Sequence, residues 1–373
     1  MNRFVRHRAT IAAVGVLAVL GTGVTALAWI GDDTGDVASA HHQPGRLTGT
    51  VWVANEAGNS LTAIDAATNQ VVGTVEGVSG AHNVQASPDG RHVWAVSGHS
   101  SMAVLVDAAR LEVRGVTPTG AAPAHIVITP DGRRTYTTNG ADGTVSAVDA
   151  VTMATVATIR VGEGPHGLRP SPDGRWVYVA NTTAGTLSVI DTAVNRAVSE
   201  IEVGRGPAQV AFSPDGRFVY ASLSGEDAVA KVDVAQRRVV GKVAVGDGPI
   251  QAYASPDGRR LLVANQGTEA EPATTLSVID TATFTVVGTV ATGSGAHGVV
   301  VDPSSTRAFV TNLYSDNVSV VDLERLAVVA TVPVGDAPNG VTFSPVVTAG
   351  GATTANVPGG HSGTGHNHDH GGH

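Results

Sequence analysis

The stretch Val161–Asp191, VGEGPHGLRPSPDGRWVYVANTTAGTLSVID, decides how the chain is read, because it recurs with variations at a fixed spacing. Its Pro-Asp-Gly element returns at Pro88, Pro130, Pro172, Pro214 and Pro256, each 42 residues after the last. Degenerate copies follow at Pro303 and Pro345, the first displaced by a five-residue insertion around Glu269–Thr275. The aspartate that closes each copy keeps the same step, at Asp65, Asp107, Asp149, Asp191, Asp233, Asp280 and Asp322. Seven copies of this length predict a repeat architecture, in which each unit buries its faces against its neighbours.

Within one copy, His166–Ser171 and Arg175–Ala180 flank Pro172-Asp173-Gly174, and an Asp-Gly between extended runs predicts a tight hairpin. Thr186–Ile190 and Ala197–Val203 alternate and are rich in β-branched residues, and Gly204-Arg205-Gly206-Pro207 then breaks the chain. Four short strands per copy and no helical period predict an all-β fold, a seven-bladed β-propeller of four-stranded antiparallel blades. The first copy begins at Val51–Asn55, which matches a second strand, and the last stops after Asn339–Ser344, which matches a first. Every strand type is present seven times only if the C-terminal strand joins the three N-terminal ones. That arrangement closes the ring and removes its unpaired edges.

Val53-Ala54-Asn55, Val179-Ala180-Asn181, Val263-Ala264-Asn265 and Val310-Thr311-Asn312, with the Ser-Pro-Asp-Gly turns and Val-Ile-Asp strand ends, resemble the YVTN-repeat β-propellers (YncE-like, surface-layer-type). A more distant resemblance is to the haem d1 domain of cytochrome cd1 nitrite reductases. It spans about residues 48–347 and implies an extracytoplasmic propeller. On activity it is nearly silent, since propellers host many chemistries.

Aromatics make up only 4% of the chain, so blade packing by small β-branched residues is expected. There is no cysteine, which excludes disulfides, thiol chemistry, a lipobox anchor and covalent c-type haem attachment. A formal charge of −9 disfavours nucleic acid as a partner. Arg3, Arg6 and Arg8 precede an apolar run from Ala9 to Ile30, and Ala26-Leu27-Ala28 offers small residues for cleavage. Residues 1–30 therefore read as a signal peptide or membrane anchor, and 31–49 as a linker. Residues 50–345 form the propeller and 346–373 a disordered His-rich tail. An exported monomer is expected, touching membrane only through an N-terminal anchor.

In a propeller the first strand of each blade lines the central channel, and its opening residues ring the mouth. Around the ring these are His82-Asn83, Ala124-His125, His166-Gly167, Ala208-Gln209, Ile250-Gln251, His297-Gly298 and Asn339-Gly340. His82, His125, His166, Gln209, Gln251, His297 and Asn339 are accordingly the candidate ligand-binding residues, for a small molecule or a protein partner. The two registers differ by one residue, so strict alternation would turn His125 away from His82 unless a bulge realigns it. Loops on the same face add Glu56, His99, Asp142, Glu226, Asp227, Glu269, Glu271, Tyr314 and Asp316. The insertion near Glu269 is the candidate lid or partner contact. The strand-ending aspartates and those of the Pro-Asp-Gly turns read as caps on backbone N–H groups.

The tail carries His361, His366, His368, His370 and His373, a flexible chelator suited to Zn²⁺, Ni²⁺ or Cu²⁺. No cofactor or catalytic residue is assigned to the propeller itself. The leading expectation is a binding protein. The alternative is a metal- or haem-dependent enzyme of lactonase, lyase or haem d1 type, with His82, His166 and His297 as ligands and Glu226 as base.

Overall fold

The computed structural model describes residues 47–350. The leader, nearly all of the linker and the tail histidines His361, His366, His368, His370 and His373 lie outside the described residues. Within them the chain forms seven four-stranded antiparallel sheets and no helix, the seven-bladed propeller that the repeat predicts.

Six blades take four consecutive strands each, and the remaining sheet has the order β28-β1-β2-β3. Here β28 (Pro338–Ser344) pairs antiparallel with β1 (Thr50–Asn55), Val51 opposite Phe343 and Val53 opposite Val341. The blade is completed by β2 (Ser60–Asp65) and β3 (Gln70–Glu76). The inner strands of the other blades are β4 (Ala81–Ala86), β8 (Pro123–Ile128), β12 (Pro165–Pro170), β16 (Pro207–Phe212), β20 (Pro249–Ala254) and β24 (Ala296–Val301).

Burial follows position in the blade. Second strands such as β1 are buried along their whole length because neighbouring blades cover both faces, so they read as near-continuous apolar runs. Outermost strands such as β3 mix exposed and half-buried positions with only one or two buried ones. The few aromatics are not scattered, as an even packing of small residues would have them. Trp52, Trp94, Tyr136, Tyr178, Tyr220 and Phe309 take the third position of the second strand in six blades, each at most 1% exposed. One large ring in each of these six blades fills the wedge between sheets, where truncation to alanine costs about 3–5 kcal/mol.

The turns behave as expected. In Ser-Pro-Asp-Gly the Ser87 hydroxyl donates to Asp89 at 2.6 Å and the glycine Gly90 takes φ 70°, a pattern repeated at Asp173, Asp215 and Asp257. Asp65 accepts the N–H groups of Ala67 and Thr68, the cap predicted for the strand-ending aspartates. The recurrent Asn of the Val-Ala-Asn motif is a buried clamp. Asn181 Nδ2 donates to Thr186 Oγ1 and Ser188 Oγ at 3.0 and 2.9 Å, and Asn55, Asn139 and Asn265 grip their own third strands the same way. A Cβ on Gly162 would lie 2.5 Å from the Asn181 amide, so the loop glycine is required for this approach.

The ordered chain continues past β28. Thr50 Oγ1 donates to the Val346 carbonyl, and the buried Thr348 donates from its hydroxyl to the Ala108 carbonyl at 2.7 Å while its N–H bonds Thr50 Oγ1. Ala349 N–H reaches the Ala109 carbonyl. Residues 346–349, drawn into the tail from sequence, thus strap the closing blade to its neighbour. A chain ended after Gly350 is expected to keep full thermal stability. One ended after Ser344 loses these buried bonds, each worth about 1 kcal/mol, and its Tm should fall by at least about 3 °C in calorimetry.

Candidate metal centre at the channel mouth

Each inner strand opens on a β-bulge. In β8, Pro123 pairs with Asn139 and Ile126 with Thr137, so Ala124 and His125 together oppose Thr138. Equivalent shifts occur at Ala81/Val84, Pro165/Leu168, Pro249/Ala252 and Ala296/Val299. The extra residue cancels the alternation that would have turned His125 away. Thr138 fixes this geometry: its Oγ1 accepts the His125 N–H at 3.0 Å and donates to the His166 carbonyl at 2.6 Å. One hydroxyl therefore ties together the backbones that carry two histidines.

His82, His125 and His166 each bring one ring nitrogen within 4.8 Å of the other two. Their ring centroids are 5.4, 5.3 and 4.6 Å apart, and His297 stands 6.2 Å from His82. His82 Nε2 and His166 Nε2 are separated by 3.3 Å. That matches the ligand-to-ligand edge of roughly 3.3 Å that a tetrahedral ion with about 2.0 Å metal–nitrogen bonds requires. The three rings near enough to share one ion, His82, His125 and His166, thus come from both sequence registers, and His297 stands farther off.

The opposite ring nitrogens are held from behind, as metal-binding imidazoles usually are. His82 Nδ1 lies 3.2 Å from Glu56 Oε2, and Asn339 Nδ2 donates to the same oxygen at 2.8 Å. His166 Nδ1 bonds the Ala208 carbonyl at 2.9 Å. His125 Nδ1 faces Gln209 Nε2 at 3.1 Å, while Gln209 Oε1 accepts the Val210 N–H. This amide orientation favours the Nε2–H tautomer of His125, whose Nε2 is buried and has no partner among the described residues. Metal loading therefore requires the Gln209 amide to present its oxygen instead.

Charge follows the same pattern. Burial alone would raise the Glu56 pKa, but the His82 charge and hydrogen bonds from His82 and Asn339 hold it at about 2. Burial works against a charged His82 too, and the Glu56 carboxylate outweighs it and lifts the His82 pKa. His125 is driven well below the usual imidazole range by burial and by the neighbouring His166, His82 and His297. His297 falls to about 3 for the same reasons. Among these three rings, His82 is the one whose surroundings favour the charged form, through the Glu56 carboxylate.

The remaining rim residues have structural bonds. Gln251 Oε1 accepts the Val299 N–H, and Asn83 Oδ1 accepts the Ile126 N–H, each linking adjacent blades. Glu226, the candidate base, is taken up by the Arg205 N–H at 2.8 Å and Lys242 Nζ at 2.6 Å, so it acts as a loop cap. Asp142, Asp227 and Asp316 likewise accept loop N–H groups. The insertion lengthens a hairpin, β21 (Arg260–Gly267) with β22 (Pro272–Asp280), and its Glu269 and Glu271 are exposed. Glu56 lies on the face expected for its loop, but its role behind His82 is not legible in the sequence, because it depends on Asn339 from the far end of the chain.

No curated protein matches the chain. Among solved structures it is similar to Kuenenia stuttgartiensis hydrazine synthase, 25% identical over 70% of this chain and 88% of that one, with a TM-score of 0.64. A putative 6-phosphogluconolactonase of Bacteroides fragilis is 16% identical over 80% and 99%, with a TM-score of 0.67. Dihydro-haem d1 dehydrogenase NirN in complex with DHE is 15% identical over 80% and 77%, with a TM-score of 0.60. The last two likenesses are of fold alone. A family profile described as YncE-like β-propeller matches residues 132–222 and 201–346. This chain belongs to the YncE-like β-propeller family.

Proposed function

We propose that this protein is an exported metal-binding propeller that holds one transition-metal ion at its channel mouth on His82, His125 and His166, with the C-terminal histidines gathering the same metal. The observation that carries the reading is the convergence of three imidazoles from three blades within 4.8 Å. An all-imidazole set suits Cu²⁺, Zn²⁺ or Ni²⁺. Rings this crowded suit a single small ion better than a haem macrocycle. Capture of Glu226 by Lys242 and Arg205 favours binding over acid–base catalysis, and Glu56, ionised down to about pH 2, is a weak base. Gln209, Gln251, His297 and Asn339 lie almost fully buried behind the mouth, where they back the histidines and would reach only a small ligand entering the channel. The N-terminal arginines and apolar run support export.

Titration calorimetry with Cu²⁺ or Zn²⁺ on a chain ended after Gly350 is expected to give one ion per propeller. His125→Ala and His166→Ala should each abolish it, and Thr138→Val should weaken it by about tenfold through misplaced backbones. Gln209→Glu, which presents an acceptor to His125 Nδ1, should tighten binding by about tenfold. A tail-less chain that takes up no ion, or takes it up equally with His125→Ala, contradicts the reading.

The metal-free protein should show a stability maximum near neutral pH. His125 and His297 have lowered folded pKa values, so the unfolded chain binds more protons below 6.5 and stability falls as pH drops toward 3. Glu56 adds to that loss below its ordinary 4.5. His82 has a raised folded pKa, so its contribution is full below 6.5 and is lost as pH rises through the folded value. On the acid limb each of His125 and His297 contributes a slope of about 1.4 kcal/mol per pH unit. His297→Gln should remove about 1.4 kcal/mol per pH unit from that limb in chemical denaturation measured from pH 7 to 4.

A further inference from the structure

Further along the channel from the histidines, the fifth inner-strand position is Gln85, Arg169, Tyr253 and Thr342 in four blades and Val or Ala in the other three. Arg169 is the one charge in this layer. It follows His166 on β12 by three residues, roughly 10 Å of extended backbone. Its Nη1 donates to Gln85 Oε1 at 2.7 Å, and its guanidinium stands 5.7 Å from the Tyr253 ring centroid. Gln85 is braced in turn by its amide, which reaches the Ala86 carbonyl at 3.3 Å. Among the described residues no carboxylate comes within ion-pair distance of Arg169, and it makes this single hydrogen bond.

A guanidinium has five N–H donors in a planar fork. Here one has a partner, and Arg169, Tyr253 and Gln85 each stay only half-buried on strands that line the channel. Enclosed cations without a counter-charge are costly and are normally paired. The setting penalises the charge: burial lowers the Arg169 pKa, and the nearby Tyr253 offsets this only in part. That a protein of net charge −9 keeps an unpaired arginine here, with no acid supplied by any inner strand of this layer, implies that the counter-charge comes from outside.

We propose that the channel is an oxyanion site, in which the guanidinium of Arg169 receives a carboxylate or phosphate group bidentately, Gln85 fixes the fork and Tyr253 walls the space. The shared chemistry is a small oxyanion, carried by an organic acid or by inorganic phosphate. It stands apart from the metal reading, because no metal is needed to hold it.

The test uses the full chain, stripped of metal on a chelating resin and held at pH 8. Oxalate and inorganic phosphate are titrated at constant ionic strength set with sodium chloride, by calorimetry and by thermal melting. The wild type should bind one equivalent and gain in Tm as either oxyanion rises. Preference for oxalate marks a carboxylate ligand and preference for phosphate a phosphoryl one. Arg169→Met, which removes the unpaired charge, should melt at or above the wild type in chloride and lose the response. Arg169→Lys keeps the charge without the fork and should bind at least tenfold more weakly. If Arg169→Met does not fold, the wild-type titration and Arg169→Lys decide. Absence of saturable binding of both anions to the wild type, or binding unaltered by the substitutions, overturns the proposal.

Discussion

The structure depends on one pairing, that of β28 with β1. It brings residues from the two ends of the propeller into one sheet, and with it every strand has a partner and every blade two neighbours. The candidate site is assembled across that seam. Asn339 on β28 donates to Glu56, which follows β1, and Glu56 holds His82 on β4. Ring closure is thus also the step that positions the carboxylate behind the metal candidate. Were the ring open, Glu56 would lose the Asn339 amide that holds its carboxylate toward His82.

Within the closed ring, local irregularity does the chemical positioning. A regular inner strand would send alternate residues to opposite faces. The bulge brings two adjacent residues to the channel, so a histidine in either register joins the cluster. Thr138, Ser222 and Thr311 stand at the bulges of alternate blades, and each hydroxyl links its own inner strand to the next one. At the corresponding position the other blades carry Ala or Val, namely Ala54, Val96, Ala180 and Ala264. The site histidines His125 and His166 sit on either side of one such link, which makes their separation a property of the backbone.

The repeat itself was readable because its signals are local. Asp-Gly turns, alternation and a fixed period each declare themselves within a few residues, and the offset between the Val51 and Asn339 ends announced the closing blade. The aspartate caps were readable for the same reason. What sequence reasoning could not supply was pairing across blades. The bulge that rescues His125 is an unequal count between two strands, and neither strand alone reveals it. Glu56 and Arg169 are single departures from the repeat whose partners lie on other blades. Arg169 carries a faint signal, as the only charge at its inner-strand position around the ring. The aromatics were masked by their low overall frequency, although at the third position of the second strand they follow the repeat period from Trp52 to Tyr220 and recur at Phe309.

The central claim is that closure gathers imidazoles from separate blades around one ion. X-ray absorption of the zinc- or copper-loaded chain ended after Gly350 addresses it directly, since imidazole scattering counts the histidines bound. Three histidine ligands with nitrogen at about 2.0 Å are predicted. A first shell of oxygen, or of no more than one imidazole, would contradict the account.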